Sequence, residues 1–161
     1  MNRALNIGCG ADVRKSTEDV DWWNVDADPE VKARFCLRAE EVGKSFLAVT
    51  FDHIEANDIL EHVKVDRWRA CLNGWVRLLK PGGTMRVQVP DPHAVMQRFQ
   101  EGKIDEATLN RVIYGESTGE FDRHYQLISM ERLGRAMMDA GLEVTEASIL
   151  HICGIVIGRK P

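Results

Sequence analysis

Two glycines and one acid carry the clearest chemistry in this chain. The apolar run Ala4-Leu5-Asn6-Ile7 leads straight into Gly8-Cys9-Gly10. A Gly-x-Gly at the end of a buried strand makes a tight turn whose backbone a ligand can touch. Glycine allows positive φ and has no Cβ to hold the ligand off. In open α/β sheets, ligands sit outside the carboxyl ends of the strands, beside such turns. Further on, Trp22-Trp23-Asn24-Val25 ends in Asp26. A carboxylate at that strand end can accept both hydrogen bonds of a ribose diol; it is also a common turn former. The dinucleotide fingerprint asks for a third glycine three residues after the second, where this chain has Val13. Without that glycine a helix cannot approach a pyrophosphate closely. The ligand that fits is a nucleoside lacking a diphosphate.

The elements that must position these residues alternate between strand and helix. Strands are expected at residues 4–8, 22–26, 33–37, 51–56, 84–89, 142–149 and 152–158. Helical stretches are expected at about 13–20, 39–46, 65–79 and 129–140. The helix over 65–79 is the clearest, with Trp68, Leu72, Trp75, Val76 and Leu79 recurring at three- and four-residue steps. Lys80-Pro81-Gly82-Gly83 stops it. Ser129 reads as an N-cap and Gly141 as a stop. The last two strands follow one another directly, so an antiparallel hairpin is natural. The pattern predicts a doubly wound, mostly parallel sheet with helices on both faces and an antiparallel edge. Residues 93–128 are polar and hold no convincing strand.

Composition sets the outer bounds. A chain of 161 residues suits a single domain, 1–161. Net charge is −4, so overall charge does not favour nucleic acid as a partner. No apolar run is long enough for a membrane span. Cys9, Cys36, Cys71 and Cys153 are far apart and form no CxxC pair. That spacing suits reduced thiols of the cytoplasm better than a disulfide frame or a zinc site. The spacing of His53, His62, His93, His124 and His151 matches no common metal site, so no metal is expected.

Four stretches, taken together, resemble a known family. They are Leu5-Asn6-Ile7-Gly8-Cys9-Gly10, Asn24-Val25-Asp26, Phe51 to Val63, and Leu78-Leu79-Lys80-Pro81-Gly82-Gly83. In this order and spacing they are similar to class I S-adenosylmethionine-dependent methyltransferases. Leu60-Glu61-His62 after the fourth strand and Leu-Lys-Pro-Gly-Gly before the fifth are the most specific parts. The resemblance runs from about residue 4 to 90, with a weaker echo at 133–144. It is nearest to small methyltransferases of sugar and cell-surface biosynthesis. It implies a Rossmann-like seven-stranded sheet in the order 3-2-1-4-5-7-6 with strand 7 antiparallel. It implies S-adenosyl-L-methionine as cofactor. Gly8 and Gly10 would let the backbone meet the methionine part, with Cys9 lining the turn. Asp26 would hold the ribose hydroxyls, and Ala27 would lie near adenine. Ala39 and Glu40 match the loop that caps adenine. Asn57 would stand below the sulfonium. The chain departs from the family in having Arg38 where an acid is frequent.

Methyl transfer needs little dedicated catalysis. The sulfonium already carries a good leaving group, so the protein mainly aligns nucleophile, methyl and sulfur and excludes water. The acceptor is therefore open; a small or sugar-like molecule methylated at oxygen is expected. Residues 93–128 would cover its pocket. His124, in Asp122-Arg123-His124-Tyr125, is the best base candidate there, because an imidazole can take a proton from a hydroxyl. Asp91 and His93 are weighed between acceptor contact and turn. His62 is expected to be structural, Glu61 a solvated helix-start charge, and Cys9 a small turn filler. A nucleic-acid methyltransferase is disfavoured, because no Asn-Pro-Pro-Tyr-like clamp follows the fourth strand. A non-catalytic nucleoside-binding module and a nicotinamide-dependent reductase remain as alternatives.

Overall fold

The computed structural model describes residues 1–116 and 119–161. Seven strands make one sheet: β1 (Asn2–Ile7), β2 (Val20–Asp26), β3 (Phe35–Cys36), β4 (Phe51–Asn57), β5 (Leu79–Pro90), β6 (Glu143–Leu150) and β7 (Cys153–Arg159). Their order is β3-β2-β1-β4-β5-β7-β6. All pairs are parallel except those of β7, which runs antiparallel to both β5 and β6. This is the topology that the family resemblance implied. The parallel strands end together, and the loops after β1, β2, β3 and β4 gather at one rim.

One face of the sheet is apolar where β4 and β5 meet. Ile54 and Ala56 of β4 and Met85 and Val87 of β5 are buried there. Against it pack α1 (Ala39–Ser45), α2 (Trp68–Leu78) and α5 (Met130–Asp139). The three- and four-residue periodicity of α2 buries Trp68, Leu72, Trp75 and Val76. Leu133, Ala136 and Met137 of α5 join the same core. Gly43, which lowers helix propensity in α1, is explained by packing. A Cβ added there would stand 2.8 Å from Gly74 Cα in α2, so the two helices meet at their backbones.

The helix expected over 13–20 does not form, and this corrects the sequence reading. The segment is irregular up to a bend at residues 18 and 19, and two buried asparagines hold its start. Asn24 Nδ2 donates to the Arg14 carbonyl at 2.8 Å, and Asn24 Oδ1 accepts from Arg14 N at 2.9 Å. Asn6 Nδ2 donates to the Asp12 carbonyl at 2.7 Å. Side-chain amides have taken the backbone partners that a helix would need. The Arg14 guanidinium meets Glu55 at 2.7 Å on the polar side of β4. That side carries His53, Glu55, Thr84 and Arg86, all half-buried. A helix packed there would face charges rather than an apolar surface.

The strand expected from residue 84 starts earlier. Leu79 already pairs with Phe51, pairing then shifts, and Thr84 pairs with His53. Lys80-Pro81-Gly82-Gly83 is therefore an outward loop inside β5, not a plain helix stop. Beyond β5 come α3 (Pro92–Gln100) and α4 (Glu106–Tyr114). Residues 117 and 118, within the expected cover segment 93–128, lie outside the described residues.

Asp91 has a structural role. It is 3% exposed. Its Oδ1 accepts from His93 N and Ala94 N at 2.9 and 3.0 Å, capping α3. Its Oδ2 accepts from Met130 N at 2.7 Å, at the start of α5. One carboxylate thus ties two helix N-termini together. Asp91→Ala is expected to cost about 2 kcal/mol. For a chain of this size that lowers the melting temperature by roughly 4–8 °C. Calorimetry on the variant measures it, and an unchanged melting temperature would contradict the double cap.

Candidate functional site

At the rim where β1 and β2 end lies a cavity of about 320 Å³. Gly8 and Gly10 form one wall, Asp26 and Ala27 the next, and Ala39 and Glu40 a third. Six of the eight residues expected to hold a cofactor are thus brought together. The strand ends place them: Gly8 N and Cys9 N both donate to the Val25 carbonyl, at 2.9 and 3.0 Å, which locks the turn onto β2.

The two glycines do different work. Gly8 has φ +67°, and a Cβ on it would come within 2.7 Å of the Ile59 side chain. Its bareness serves packing against the loop after β4. Gly10 has φ +46° and nothing within 4 Å of a built Cβ. Its bareness leaves space open.

Asp26 is the hinge of the site. Its Oδ2 accepts from Gly10 N at 2.7 Å and its Oδ1 from Asp28 N at 2.9 Å. Both loops are therefore fixed by one carboxylate. An ionised carboxylate offers about four lone-pair sites, so each oxygen keeps one for a ligand hydroxyl.

Two expected residues stand elsewhere. Cys9 is buried behind the turn and does not line the cavity. Burial, and then the charge of Asp26, push its thiol up to about 11, so it is a turn filler rather than a nucleophile. Asn57 also lies off the wall; its Oδ1 accepts from Arg86. The neighbouring Asp58 and Ile59 line the cavity instead. Asp58 has φ +52°, a left-handed turn directly after the strand end.

The far wall comes from the cover segment, which holds Glu120, Phe121, Asp122, Arg123 and Tyr125. Arg38 bridges to it, pairing with Glu120 and lying 5.4 Å over the Phe121 ring. The departure at position 38 thus has a use: the guanidinium joins the α1 loop to the cover. The cover is pinned further by Tyr125 N donating to the Glu61 carbonyl at 2.8 Å, and by Gln126 Nε2 donating to the Val63 carbonyl at 3.2 Å.

His124 does not line this cavity. It lines an adjoining hollow of about 430 Å³ together with Asp58, Glu61 and His62. His62 and Asp58 border both spaces. His62 and His124 meet edge to face, with ring centroids 4.6 Å apart. Burial, and then the neighbouring His124, hold the His62 imidazole below its usual range. Glu61 departs from its reading as a solvated charge. It is 1% exposed, and burial followed by the charge of Asp58 pushes its carboxyl up to about 8. No spacing in the sequence signals this. Glu61 is buried by the loop in front of α2 and by a cover segment sixty residues away.

Among the described residues no helix is long and apolar enough to cross a membrane. The four cysteines are free thiols.

Known structures share the architecture. A S-adenosylmethionine-dependent methyltransferase from Methanosarcina mazei is 18% identical, with 99% of this chain and 92% of that one covered and a TM-score of 0.69. A possible histamine N-methyltransferase from Thermotoga maritima is 17% identical over 100% of this chain and 83% of that one, with a TM-score of 0.68. The 1,6-didemethyltoxoflavin-N1-methyltransferase of Burkholderia thailandensis, solved with 1,6-didemethyltoxoflavin and S-adenosylhomocysteine, is 16% identical over 99% of this chain and 71% of that one, with a TM-score of 0.65. No curated protein matches the sequence closely enough to count. A family profile described as a methyltransferase domain matches residues 2–147. The chain therefore belongs to the methyltransferase-domain family, and its fold is the one these S-adenosylmethionine-dependent methyltransferases share.

Proposed function

We propose that this protein transfers a methyl group from S-adenosylmethionine to a small, polar, sugar-like acceptor at oxygen. The observation that carries the reading is the double engagement of Asp26, which braces both cofactor loops and keeps lone pairs for a ribose diol. Gly8 and Gly10 take the methionine part, with Cys9 filling the turn behind. Ala27 lies beside adenine, and Ala39 and Glu40 cap it. Asn57 acts from beneath, holding the end of β4 through Arg86.

The reaction then needs one alignment. An acceptor hydroxyl loses its proton, its oxygen forms a bond to the methyl carbon, and the carbon–sulfur bond breaks with its electron pair on sulfur. The hollow beside the cofactor cavity supports a polar acceptor, since Asp58, Arg111, Glu116 and Asp122 line it. His124 sits there with Nδ1 2.7 Å from the Val112 carbonyl. A carbonyl only accepts, so Nδ1 carries the proton and Nε2 can receive one. His124 is the acceptor-side base. The segment 93–128 covers the acceptor within the single domain, and the free thiols suit a cytoplasmic setting.

The test is calorimetric binding of S-adenosylhomocysteine, followed by a product assay on a panel of sugars and small alcohols. His124→Ala is expected to lower kcat by roughly 10²–10⁴-fold on an accepted hydroxyl. Cofactor binding should stay unchanged. Binding without turnover on the panel would favour a nucleoside-binding module. Binding of NADH in place of S-adenosylhomocysteine would refute the reading.

A further inference from the structure

The hollow at the acceptor end holds a cluster that methyl transfer alone does not explain. One ligand-capable atom from each of Glu61, His62 and His124 lies within 4.8 Å of the others. Among the described residues no hydrogen bond joins the three side chains to one another. Glu61 is 1% exposed, and its Oε2 has no hydrogen-bond partner. No cation stands among the groups that act on it. An orphaned buried carboxylate oxygen is costly, of order 1–3 kcal/mol or more. A fold keeps such a group where something else satisfies it.

The histidines are held in a way that suits one kind of partner. His62 Nδ1 lies 3.1 Å from the Arg123 carbonyl, and His124 Nδ1 lies 2.7 Å from the Val112 carbonyl. His124 therefore spends its N–H on a backbone oxygen and keeps its lone pair on Nε2, while the His62 ring is held by the backbone of Arg123 and of Phe121. Metal-binding histidines are oriented by this same kind of N–H···O=C bond. Two imidazole lone pairs and one carboxylate form the ligand set of zinc and iron(II) sites. They do not match the all-oxygen sets that hold magnesium or calcium.

We infer that Glu61, His62 and His124 form a binding site for one divalent transition ion of the zinc type, set between the cofactor cavity and the acceptor. The spacing of these residues in sequence hides the site, because the cover segment brings His124 to the 3₁₀ turn Leu60–His62 only in the folded chain. Three protein ligands leave a position open, as in catalytic rather than structural zinc sites. The site rests on the acceptor reading above for its use. An ion there lowers the pKa of an acceptor hydroxyl, whose proton leaves to solvent; this replaces proton transfer to His124, which serves as base only in the metal-free protein.

The test uses the full chain, stripped with chelator and titrated with CoCl₂ while the visible absorption is followed. ZnCl₂ calorimetry runs in parallel. One equivalent is expected to bind at micromolar concentration or tighter. The Co²⁺ spectrum should be that of nitrogen and oxygen ligands, without a thiolate charge-transfer band. Glu61→Gln and His62→Gln should each weaken binding by at least ~10–100-fold. His124→Gln should do the same, which keeps the test decisive if one variant fails to fold. The double variant Cys36→Ser/Cys153→Ser should bind as the parent does. No binding below millimolar metal, or equal binding by all three ligand variants, would overturn the site. Titration of the same samples with S-adenosylhomocysteine separates the two proposals. Loss of metal with cofactor binding intact supports the site, and failure of the parent to bind cofactor refutes the methyl-transfer reading alone.

Discussion

Replacing Asp26 by alanine is expected to weaken binding of S-adenosylhomocysteine by ~100-fold or more. The carboxylate accepts from Gly10 N and Asp28 N, at 2.7 and 2.9 Å, which leaves one lone pair on each oxygen that the proposed reading gives to the ribose hydroxyls. Hydrogen bonds to a charged group contribute about 1.5–3 kcal/mol each. Losing the two from ribose therefore removes at least ~3 kcal/mol, or about two decades of affinity. The loops lose their brace as well, so the turn at Gly10 becomes free to move before a ligand arrives. Asp26→Asn keeps one acceptor oxygen and should fall between parent and Asp26→Ala. Calorimetry measures all three, with circular dichroism as the check on folding. A folded Asp26→Ala protein that binds within a few-fold of the parent would remove the ribose assignment.

The second large effect is on the cover. Gly115→Ala should detach residues 119–125 from the body while the sheet stays folded. Gly115 has φ +83° and ψ 179°, a region that in practice only glycine occupies. A Cβ there would lie 1.7 Å from the Asp122 carbonyl oxygen and 3.1 Å from His124 N. Those are backbone atoms, so no change of rotamer relieves the overlap. Strain of about 1–3 kcal/mol and an overlap penalty of similar size together exceed what a few hydrogen bonds can retain. Phe121 would leave the cofactor cavity and His124 the acceptor hollow. Faster hydrogen exchange and new protease cuts are expected between residues 115 and 126, along with weaker cofactor binding. Gly102→Ala is the control, because Gly102 also has positive φ but nothing within 4 Å of a built Cβ. If the two variants exchange alike, the cover is not anchored at Gly115.

Much of the frame was legible in the residues because the rules that fix it are local. An apolar run followed by Gly-x-Gly announces a strand end and a bare turn, and an acid after the next apolar run announces its neighbour. The period of Trp68, Leu72, Trp75 and Val76 required a helix buried on one side, and the fold buries those four. The hairpin of β6 and β7 followed from adjacency. Local signals failed where a distant side chain competed for the backbone. Residues 13–20 carry nothing that forbids a helix, yet Asn24 and Asn6 take up the backbone groups of Arg14 and Asp12. Gly43 lowers the helix propensity of α1, and only the approach of Gly74 gives it a reason.

At the acceptor end the sequence offered only a covering segment and one base candidate, His124, and not what surrounds them. The sequence by itself determined alternating strands and helices, the Gly8-to-Gly10 turn and the acid after the second strand, since each depends on neighbours a few positions away, while the strand order came through the family resemblance. The tertiary structure alone decided that Glu61 is buried, that His62 faces His124, and that Arg38 reaches Glu120 across the cavity. Burial and electrostatic pairing depend on distance in space. Here that distance is set by where one polar segment folds back over the sheet, and no pattern of spacing along the chain records it.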